Sequence, residues 1–398
     1  MAATDEPAST GHDTSRIRLA LAVADTNWFS TENLFREVCH EDVATLLLKC
    51  QDYLNAWQKG TRPWRWKLPR IQRGQNLWQH ELTLPSGWMK KFPTIGMRPI
   101  GRSILNWHET QAPDARLALV MTYPHYVHLS DIVHPNYQIY FNLDDYALYW
   151  PRFADRIREL ERRAVLESDV TICVSKRRVD ELRAAIPEAS AKIRHLPHGA
   201  PTASLSDHAW EEPAPPPREL ADLPRPLLGF IGTMEDRLDW KLLTRLSEAM
   251  PEASIVLVGR PPAQPAGDWL ADYQRCLDRP NVHPLGWKPQ ESIHLYNRAF
   301  DVCLIPYQSD HPFNLACCPT KIMDYMVTGR PIVSTDLPEC RLYPELLEVT
   351  KSDDEFISSV RKIVDAGSKD GKATHRFEWA RANTCRHVVD RLIEWLPN

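Results

Sequence analysis

The chain has 398 residues, of which 43% are hydrophobic and 25% charged, and its formal net charge at pH 7 is −4. This length suits two domains of roughly 200 residues each, and the composition is that of a globular protein. The acidic balance argues against a strongly basic nucleic-acid binder, so we expect no nucleic-acid partner. No apolar run approaches the roughly 18 residues that a membrane-spanning helix needs.

The N-terminus and the cysteines indicate the cellular compartment. Residues 1–15 are polar and lack the apolar core of a secretory signal, which predicts a short disordered lead. The nine cysteines are scattered, without a C-x-x-C pair, which is typical of a reducing, cytoplasmic environment. The histidine spacings fit no standard zinc pattern, and no cysteine joins them. We therefore expect no bound metal.

The first half of the chain alternates between apolar runs and helical patterns. In chain order the predicted elements are a strand at 17–24, a helix at 31–50 with Leu46, Leu47 and Leu48 on its apolar side, strands at 118–122, 138–142, 170–174 and 193–196, and a helix at 176–185 between the last two. Alternation of this kind predicts an α/β domain with a parallel sheet.

A proline-rich segment interrupts that rhythm. Six prolines within residues 211–226 predict an extended linker. A second cycle follows, with strands at 227–231, 254–258, near 282, 302–305 and 332–334, and helices at 241–249, 292–299 and 319–328. We predict a second doubly wound domain, followed by one long amphipathic helix over residues 376–396.

Residues 319–335 are the most informative stretch. Lys321 and Asp324 stand three residues apart, so both side chains lie on one face of a short helix. Gly329 suits a left-handed end to that helix, and Pro331 then opens a buried strand. A cation and a carboxylate at the carboxyl end of a sheet suit a diphosphate and the ribose beside it. The alternative is an ordinary surface ion pair.

The loop that follows the first strand of the second domain is a further candidate site. Gly232 and Thr233 would let backbone N–H groups approach an anion at the start of the next helix. Either Arg237 or Lys241 could neutralise a diphosphate there. The loop lacks the G-x-G-x-x-G pattern, so a dinucleotide site is not indicated. A plain loop in which Asp239 caps the helix is the alternative.

Five pieces of the chain, in this order and spacing, resemble the donor domain of the GT-B fold glycosyltransferases of the group 1, family 4-like superfamily. They are residues 228–240, 255–259, 281–287, 301–307 and 319–335. The resemblance covers residues 120–398 and is poor over the first 115. It implies an α/β protein with two doubly wound, Rossmann-like domains facing across a cleft, and a C-terminal crossover helix.

The resemblance also implies a domain plan. It consists of the lead at 1–15, an N-terminal acceptor-binding domain at 16–210, the linker at 211–226, a C-terminal nucleotide-sugar-binding domain at 227–372, and a C-terminal helix at 373–398 that packs back on the N-terminal domain.

The donor implied by the resemblance is a nucleoside-diphosphate sugar of the UDP or GDP type, with no tightly bound cofactor. Lys321, assisted by Arg237, would face the diphosphate. Asp324 stands where the family usually has Glu and would accept hydrogen bonds from the ribose, although its side chain is one methylene shorter. The other candidate donor-binding residues are Gly232, Thr233, Thr320 and Trp287, with Gly259 and Arg260 as further candidates near the base.

The sequence departs from the family at one catalytic position. Many retaining members carry a second Glu eight residues before the helix carboxylate, and here that position is Ala316, so the retaining mechanism is not carried over. An inverting transfer needs a general base. Asp144 and Asp145, at the end of a buried strand, are the candidates. An N-cap is the alternative for either, and in a retaining reaction the same acid would stabilise an oxocarbenium-like species.

Interleaved cations and aromatic residues fill residues 61–92. This mixture suits the interface of an anionic membrane, although it could also stack on sugar rings or on single-stranded nucleic acid, or consist of buried tryptophans with solvated charges. The residues are Arg62, Trp64, Arg65, Trp66, Lys67, Arg70, Arg73, Trp78, Trp88, Lys90, Lys91 and Phe92.

We therefore predict a metal-independent, hexosyltransferase-like glycosyltransferase. It would act on a lipid-linked saccharide acceptor in cell-surface or exopolysaccharide synthesis, as a cytoplasmic protein held peripherally on the inner face of the plasma membrane. A nucleotide-sugar epimerase of the same fold, and a non-catalytic saccharide- or membrane-binding protein, are the alternatives.

Overall fold

The computed structural model describes residues 16–38, 40–58, 70–88, 93–202, 205, 215–262 and 266–397. The chain forms two compact units. The first contains the residues up to Phe141, Glu159–Val170 and the residues from Leu396, and the second contains Asn142–Arg158 and Thr171–Trp395. Both units are α/β.

The first unit is built on strands that lie in the order β3-β4-β2-β1-β5-β6. The β3–β4 pair is antiparallel and the other pairs are parallel. β1 lies between β2 and β5 and is fully buried, which explains its unbroken apolar sequence. The strands are β1 (Leu19–Ala24), β2 (Val43–Asp52), β3 (Arg70–Gly74), β4 (Leu77–Leu84), β5 (Arg116–Met121) and β6 (Tyr137–Asn142).

The second unit contains a six-stranded sheet with the order β11-β10-β9-β12-β13-β14. All of its pairs are parallel, so the carboxyl ends of the central strands meet at one edge. The strands are β9 (Leu227–Ile231), β10 (Ser254–Val258), β11 (Val282–Gly286), β12 (Val302–Ile305), β13 (Ile332–Thr335) and β14 (Glu348–Thr350). The other two strands that the structure describes, β7 (Val170–Cys173) and β8 (Ile193–His195), pair in parallel at the end of the eight-stranded sheet.

Helices connect these strands. In chain order they are α1 (Phe29–Arg36), α2 (Tyr53–Gln58), α3 (Pro93–Gln111), α4 (Ser130–Val133), α5 (Tyr146–Tyr149), α6 (Ala154–Glu167), α7 (Lys176–Ala185), α8 (Arg218–Ala221), α9 (Trp240–Ala249), α10 (Leu270–Leu277), α11 (Ile293–Ala299), α12 (Pro312–Ala316), α13 (Lys321–Met326), α14 (Asp353–Asp365), α15 (Ala373–Ala382) and α16 (Cys385–Glu394).

The predicted helix over residues 31–50 is wrong. α1 ends at Arg36, and Leu46–Leu48 belong to β2, where they are fully buried between β1 and β4. A strand that is buried on both faces has a continuous apolar run. Such a run cannot be distinguished from a buried helical segment by its periodicity.

The predicted single helix at the C-terminus is also wrong, because α15 and α16 are separate helices. The carbonyl of Asn383 accepts the N–H of Ala200 at 2.8 Å, so the chain leaves the helical path to pair with a distant segment. Thr384 then caps α16 by accepting the N–H of His387 at 3.3 Å.

The elements predicted for residues 227–335 are confirmed with small shifts of their ends. β9, β10 and β12 have the predicted bounds. Gly329 has a φ of +65°, so the chain takes a left-handed conformation after α13, and β13 begins directly after Pro331. Apolar runs bounded by Gly and Pro therefore predict the strands of this region correctly.

The aromatic and basic segment is only partly described. Trp78 and Trp88 are 8% and 5% exposed and pack against Trp107 and Tyr126, so these two tryptophans belong to the core of the first unit and not to a membrane interface. The residues outside the described ranges are Arg62, Trp64, Arg65, Trp66, Lys67, Lys90, Lys91 and Phe92, together with the lead at 1–15.

The predicted domain plan stays a prediction, and part of its linker also lies outside the described residues. Among the described helices, none is long and apolar enough to cross a membrane.

Candidate functional site

Two glycine-containing strand ends form the floor of the candidate site. The N–H of Gly232, after β9, donates to the carbonyl of Val258 at 2.9 Å, and the N–H of Gly259 donates to that of Gly286 at 2.9 Å. A Cβ atom on Gly259 would lie only 1.8 Å from the carbonyl oxygen of Gly232. Glycine is required here because the two backbones approach so closely. The ends of β9, β10 and β11 are thereby locked together.

Lys321 lies directly over this floor. A Cβ atom on Gly232 would come within 2.8 Å of the Lys321 ammonium nitrogen, Nζ. Nζ donates a hydrogen bond to the Tyr307 hydroxyl at 2.6 Å and lies 5.1 Å from the centroid of the Phe230 ring. No carboxylate of the described residues lies within ion-pair distance of Lys321. Its charge is held by aromatic faces and remains available for an anion.

Arg237 approaches the same tyrosine from the loop before α9. Its guanidinium lies 5.8 Å from the Tyr307 centroid and 5.6 Å from the Phe313 centroid. Its backbone carbonyl is fixed by hydrogen bonds from the N–H of Gln308 at 3.0 Å and the side-chain amide of Asn314 at 2.9 Å. Its charge faces that of Glu235 at 3.6 Å and also acts on the Asp144 carboxyl. The structure thus brings two predicted cations to one aromatic ring.

The structure separates Lys241 from these cations. Its side chain is 74% exposed on α9 and faces Asp272 of α10 at 3.7 Å. Of the two cations proposed for the loop, Arg237 is therefore the one beside Lys321. Asp239 caps α9 by accepting the N–H of Leu242 at 2.9 Å, as the plain-loop alternative expected.

Asp324 lies one turn along α13 from Lys321. Burial raises the pKa of its carboxyl to about 6, against the opposing effect of the Lys321 charge. Its carboxyl makes no hydrogen bond with any residue that the structure describes, so it can accept one from a ligand. Thr320 precedes α13, and its carbonyl accepts the N–H groups of Met323 and Asp324 at 3.0 and 3.2 Å.

Trp287 and Thr233 lie at the rim. The Trp287 side chain is 57% exposed after β11, and the Arg260 guanidinium lies 5.4 Å from its ring centroid. Thr233 is exposed beside Gly232. Trp287 is joined to the floor through Gly286, whose carbonyl accepts the Gly259 N–H. An exposed indole face at this edge could stack on a planar ring.

The two candidate catalytic acids have different environments. Asp145 is buried and caps α5 by accepting the N–H of Ala147 at 3.1 Å, with the Arg178 guanidinium 3.8 Å away. It is therefore occupied as an N-cap. Asp144 accepts hydrogen bonds from the Tyr149 hydroxyl at 2.8 Å and from the Asp145 N–H at 3.0 Å. Burial raises the pKa of Asp144, while these donors and nearby Arg237 lower it.

Cys317 shows how closely the candidate groups converge. Burial, and after it the charge of Asp144, raise the pKa of its thiol to about 12, although the charges of Arg237 and Lys321 lower it. The acid and both cations therefore act on one neutral thiol at the end of α12. The spacing of these residues along the chain gave no sign that they would meet.

Sequence reasoning missed three aromatic residues. Tyr307 carries both cations, Phe313 lies under Arg237, and Tyr149 bonds to Asp144. Of the three, only Tyr307 has a position that the sequence marks, since it directly follows the apolar run that ends in Ile-Pro. The described residues contain no cluster of three or more His, Cys, Asp or Glu side chains suited to a metal ion.

Sequence comparison places the second half of the chain in a known family. Residues 225–365 match the family model described as Glycosyl transferases group 1. TuaH of Bacillus subtilis (strain 168), a glycosyltransferase assigned to teichuronic acid biosynthesis, is 24% identical over 243 residues. That alignment covers 60% of this chain and 59% of TuaH, so the chain spans about three-fifths of the relative's length.

Solved structures share the fold of the chain. Alr3699/HepE of Anabaena, in complex with UDP, matches with a TM-score of 0.61 at 12% identity, over 95% of this chain and 98% of that one. An α,α-trehalose-phosphate synthase (UDP-forming) from Burkholderia vietnamiensis matches with a TM-score of 0.66 at 10% identity, over 95% and 99%. At these identities the likeness shows the fold.

The two Rossmann-like sheets and the likeness to the solved structures show that the chain has the GT-B fold of glycosyltransferases. Within that class, residues 225–365 form a Glycosyl transferases group 1 domain. The predicted fold class and family are confirmed.

Proposed function

We propose that this protein transfers a sugar from a UDP-sugar donor to a saccharide acceptor during the assembly of a cell-surface polysaccharide. The observation that carries the proposal is the position of Lys321, whose ammonium lies over Gly232 on aromatic rings with no carboxylate of the described residues within ion-pair distance. A cation in this setting suits a diphosphate. The UDP named in the HepE structure and in the Burkholderia synthase supports the choice of nucleotide.

The donor would be held by residues of the second unit. Lys321 and Arg237 would contact the diphosphate, at the edge where the carboxyl ends of the parallel strands converge. Asp324 would accept hydrogen bonds from the ribose, since its carboxyl is free of partners among the described residues. Trp287, paired with Arg260, would lie against the base. Gly232 allows the donor to approach the backbone, with Thr233 and Thr320 beside it.

The reaction breaks the bond between the anomeric carbon of the sugar and the diphosphate. Negative charge grows on the leaving diphosphate, and two fixed cations stabilise it without a metal ion. We assign the action on the acceptor to Asp144, because Asp145 caps α5 and lies beside Arg178. It would deprotonate the acceptor hydroxyl in an inverting transfer, or stabilise the oxocarbenium-like centre in a retaining one.

The acceptor would be a lipid-linked saccharide at the inner face of the plasma membrane. The assignment of TuaH to teichuronic acid, a cell-wall polysaccharide, supports a cell-surface product. The support for an anionic membrane surface is the run of tryptophans and cations at residues 62–67 and 90–92, which is a feature of the sequence alone.

A product assay tests this proposal. The protein is incubated with UDP-, GDP-, ADP- and dTDP-sugars, and the free nucleotide diphosphate and the remaining sugar nucleotides are quantified. We expect release of UDP from a UDP-sugar, stimulated by lipid-linked saccharides extracted from a bacterial membrane. An isomerised sugar nucleotide with no UDP release would indicate an epimerase, and no turnover of any donor would indicate a binding protein. Lys362→Ala, on the exposed side of α14, is the matched control for Lys321→Ala.

A further inference from the structure

The hydroxyl of Tyr149 fixes one of the two oxygens of the candidate acid. Tyr149 closes the short helix α5 and donates to Oδ2 of Asp144 at 2.8 Å, while Oδ1 accepts the Asp145 N–H at 3.0 Å. Both carboxyl oxygens are thus held from the segment that carries the acid. A carboxyl that accepts a hydrogen bond at each oxygen has a fixed orientation.

The ring of Tyr149 contacts the donor side of the site. It meets Phe313 of α12 edge-on, with centroids 4.6 Å apart and an interplanar angle of 80°. Phe313 in turn lies 5.6 Å from the guanidinium of Arg237. Edge-to-face packing of this kind is geometrically specific. A single side chain therefore touches the acid with its hydroxyl and the support of a donor-side cation with its ring.

We propose that Tyr149 is a positioning residue, which holds the Asp144 carboxyl charged and directed through its hydroxyl and couples that carboxyl to the donor-binding residues through its contact with Phe313. The inference rests on the proposed function, in which Asp144 acts on the acceptor. It adds to that function a residue that makes no direct contact with the reacting atoms.

The groups around Asp144 support this role. Arg178 faces it from α7, Arg237 from the loop before α9, and Cys317 from the end of α12. Burial favours the neutral carboxyl and raises its pKa, and the hydrogen bond from Tyr149 is the strongest of the interactions that lower it again. Cys317 carries no charge at neutral pH, because burial raises its pKa to about 12.

Tyr149→Phe removes the hydroxyl and keeps the ring. Without the donor, the charged form of Asp144 loses stabilisation, so its pKa rises. A base works above its pKa, so the acidic limb of the profile of kcat/KM against pH moves to higher pH. We expect both shifts to be about one pH unit, the size of one hydrogen bond to a charged group. Tyr149→Ala also removes the contact with Phe313, and we expect it alone to raise the KM for the UDP-sugar several-fold.

Two readouts test these expectations. The pKa of Asp144 is measured from carboxyl ¹³C resonances of aspartate-labelled protein, where Asp144→Asn identifies the signal. The pH profile is measured from UDP release with UDP-glucose. Tyr296→Phe is the matched control, because its hydroxyl also bonds to a carboxylate, that of Glu219. We expect it to move neither the resonance nor the profile.

An Asp144 pKa that is the same in Tyr149→Phe and in the wild type would overturn the proposal. So would a shifted pKa with an unshifted acidic limb, because the charge of Asp144 would then not govern turnover. If Tyr149→Ala and Tyr149→Phe have equal KM values, the coupling through Phe313 is refuted. Failure of the wild type to release UDP would instead contradict the proposed function, and the ¹³C titration would still show whether Tyr149 controls Asp144.

Discussion

The carboxyl edges of the two central sheets carry opposite chemistry. In the first unit, Asp25 follows β1 and accepts hydrogen bonds from the N–H and the side-chain amide of Asn27, both at 2.9 Å, and from the Tyr126 hydroxyl at 3.1 Å. Its own N–H donates to the Thr122 hydroxyl at 3.2 Å. The carboxylate at this edge is saturated by groups of its own unit.

At the corresponding edge of the second unit, the polar groups are not satisfied in the same way. Lys321 and Arg237 lie on aromatic rings, and the Asp324 carboxyl has no hydrogen-bond partner among the described residues. Buried and half-buried polar groups are normally paired within a protein. The strand-end position common to both sheets therefore does not define a ligand site, whereas charge without a partner within the protein does.

The largest effect is expected from Lys321→Ala. Loss of a cation that stabilises the leaving diphosphate should lower kcat/KM for UDP release by about 10²–10³-fold, as removal of a comparable electrostatic donor does. Steady-state kinetics measure this loss, and circular dichroism confirms that the fold is kept. Lys362→Ala is the control. Activity within threefold of the wild type would mean that unused charge at this edge does not mark the donor site.

A slightly smaller effect is expected from Asp144→Asn. Removal of a general base lowers kcat by about 10²-fold, while UDP affinity should stay unchanged because the cations remain. Asp145→Ala is the comparison variant: Asp145 caps α5, so its loss should cost about 1 kcal/mol of stability and leave turnover unchanged. Equal turnover in Asp144→Asn and the wild type would place the base elsewhere or show that none is needed.

The saturated edge should instead control stability. Burial raises the pKa of Asp25 to about 7 from the ordinary 3.8, so the folded protein binds this proton more tightly than the unfolded chain does. Stability from this group is therefore greatest at low pH and falls as pH rises from about 4 to about 7.

Between pH 5 and pH 7 the free energy of unfolding should fall by about 2 kcal/mol through Asp25 alone. Urea denaturation of the wild type and Asp25→Asn at both pH values measures the difference. The variant should lose that part of the pH dependence and keep its turnover. An unchanged pH dependence in the variant would show that Asp25 is not the titrating group.

The smallest effect concerns the membrane. Each basic residue near an anionic surface contributes about 1 kcal/mol, which salt screens. Changing Arg65, Lys67, Lys90 and Lys91 to Glu should weaken co-sedimentation with anionic vesicles, and salt should weaken that of the wild type. If the wild type does not co-sediment with anionic vesicles at low salt, the support for a lipid-linked acceptor is lost.

The sequence predicted the second unit better than the first, for a physical reason. The strands around the donor edge are short apolar runs that end at Gly or Pro, such as β9 before Gly232. Those residues mark where a strand must stop. No Gly or Pro directly follows the leucines of β2, and its apolar run is equally compatible with the helix predicted there. Its strand conformation comes from pairing with β1 and β4, and β4 is distant from it in the sequence.

The candidate site was predictable only in part. Gly232 was predictable because it directly follows an apolar strand, and Lys321 and Asp324 because their spacing puts them on one face of a short helix. Tyr149 and Phe313 could not be found that way, because their contact joins residues far apart in the chain. The two acids at 144 and 145 look alike in the sequence. Only the hydrogen bonds of the fold separate the cap from the candidate base.

Calorimetric titration of UDP tests whether the uncompensated charge of Lys321 holds the donor diphosphate. UDP should bind the wild type, Lys362→Ala and Asp144→Asn with equal affinity, and binding to Lys321→Ala should be weakened by at least tenfold, which corresponds to about 1.4 kcal/mol. Equal affinity of Lys321→Ala and the wild type for UDP would show that Lys321 does not hold the diphosphate.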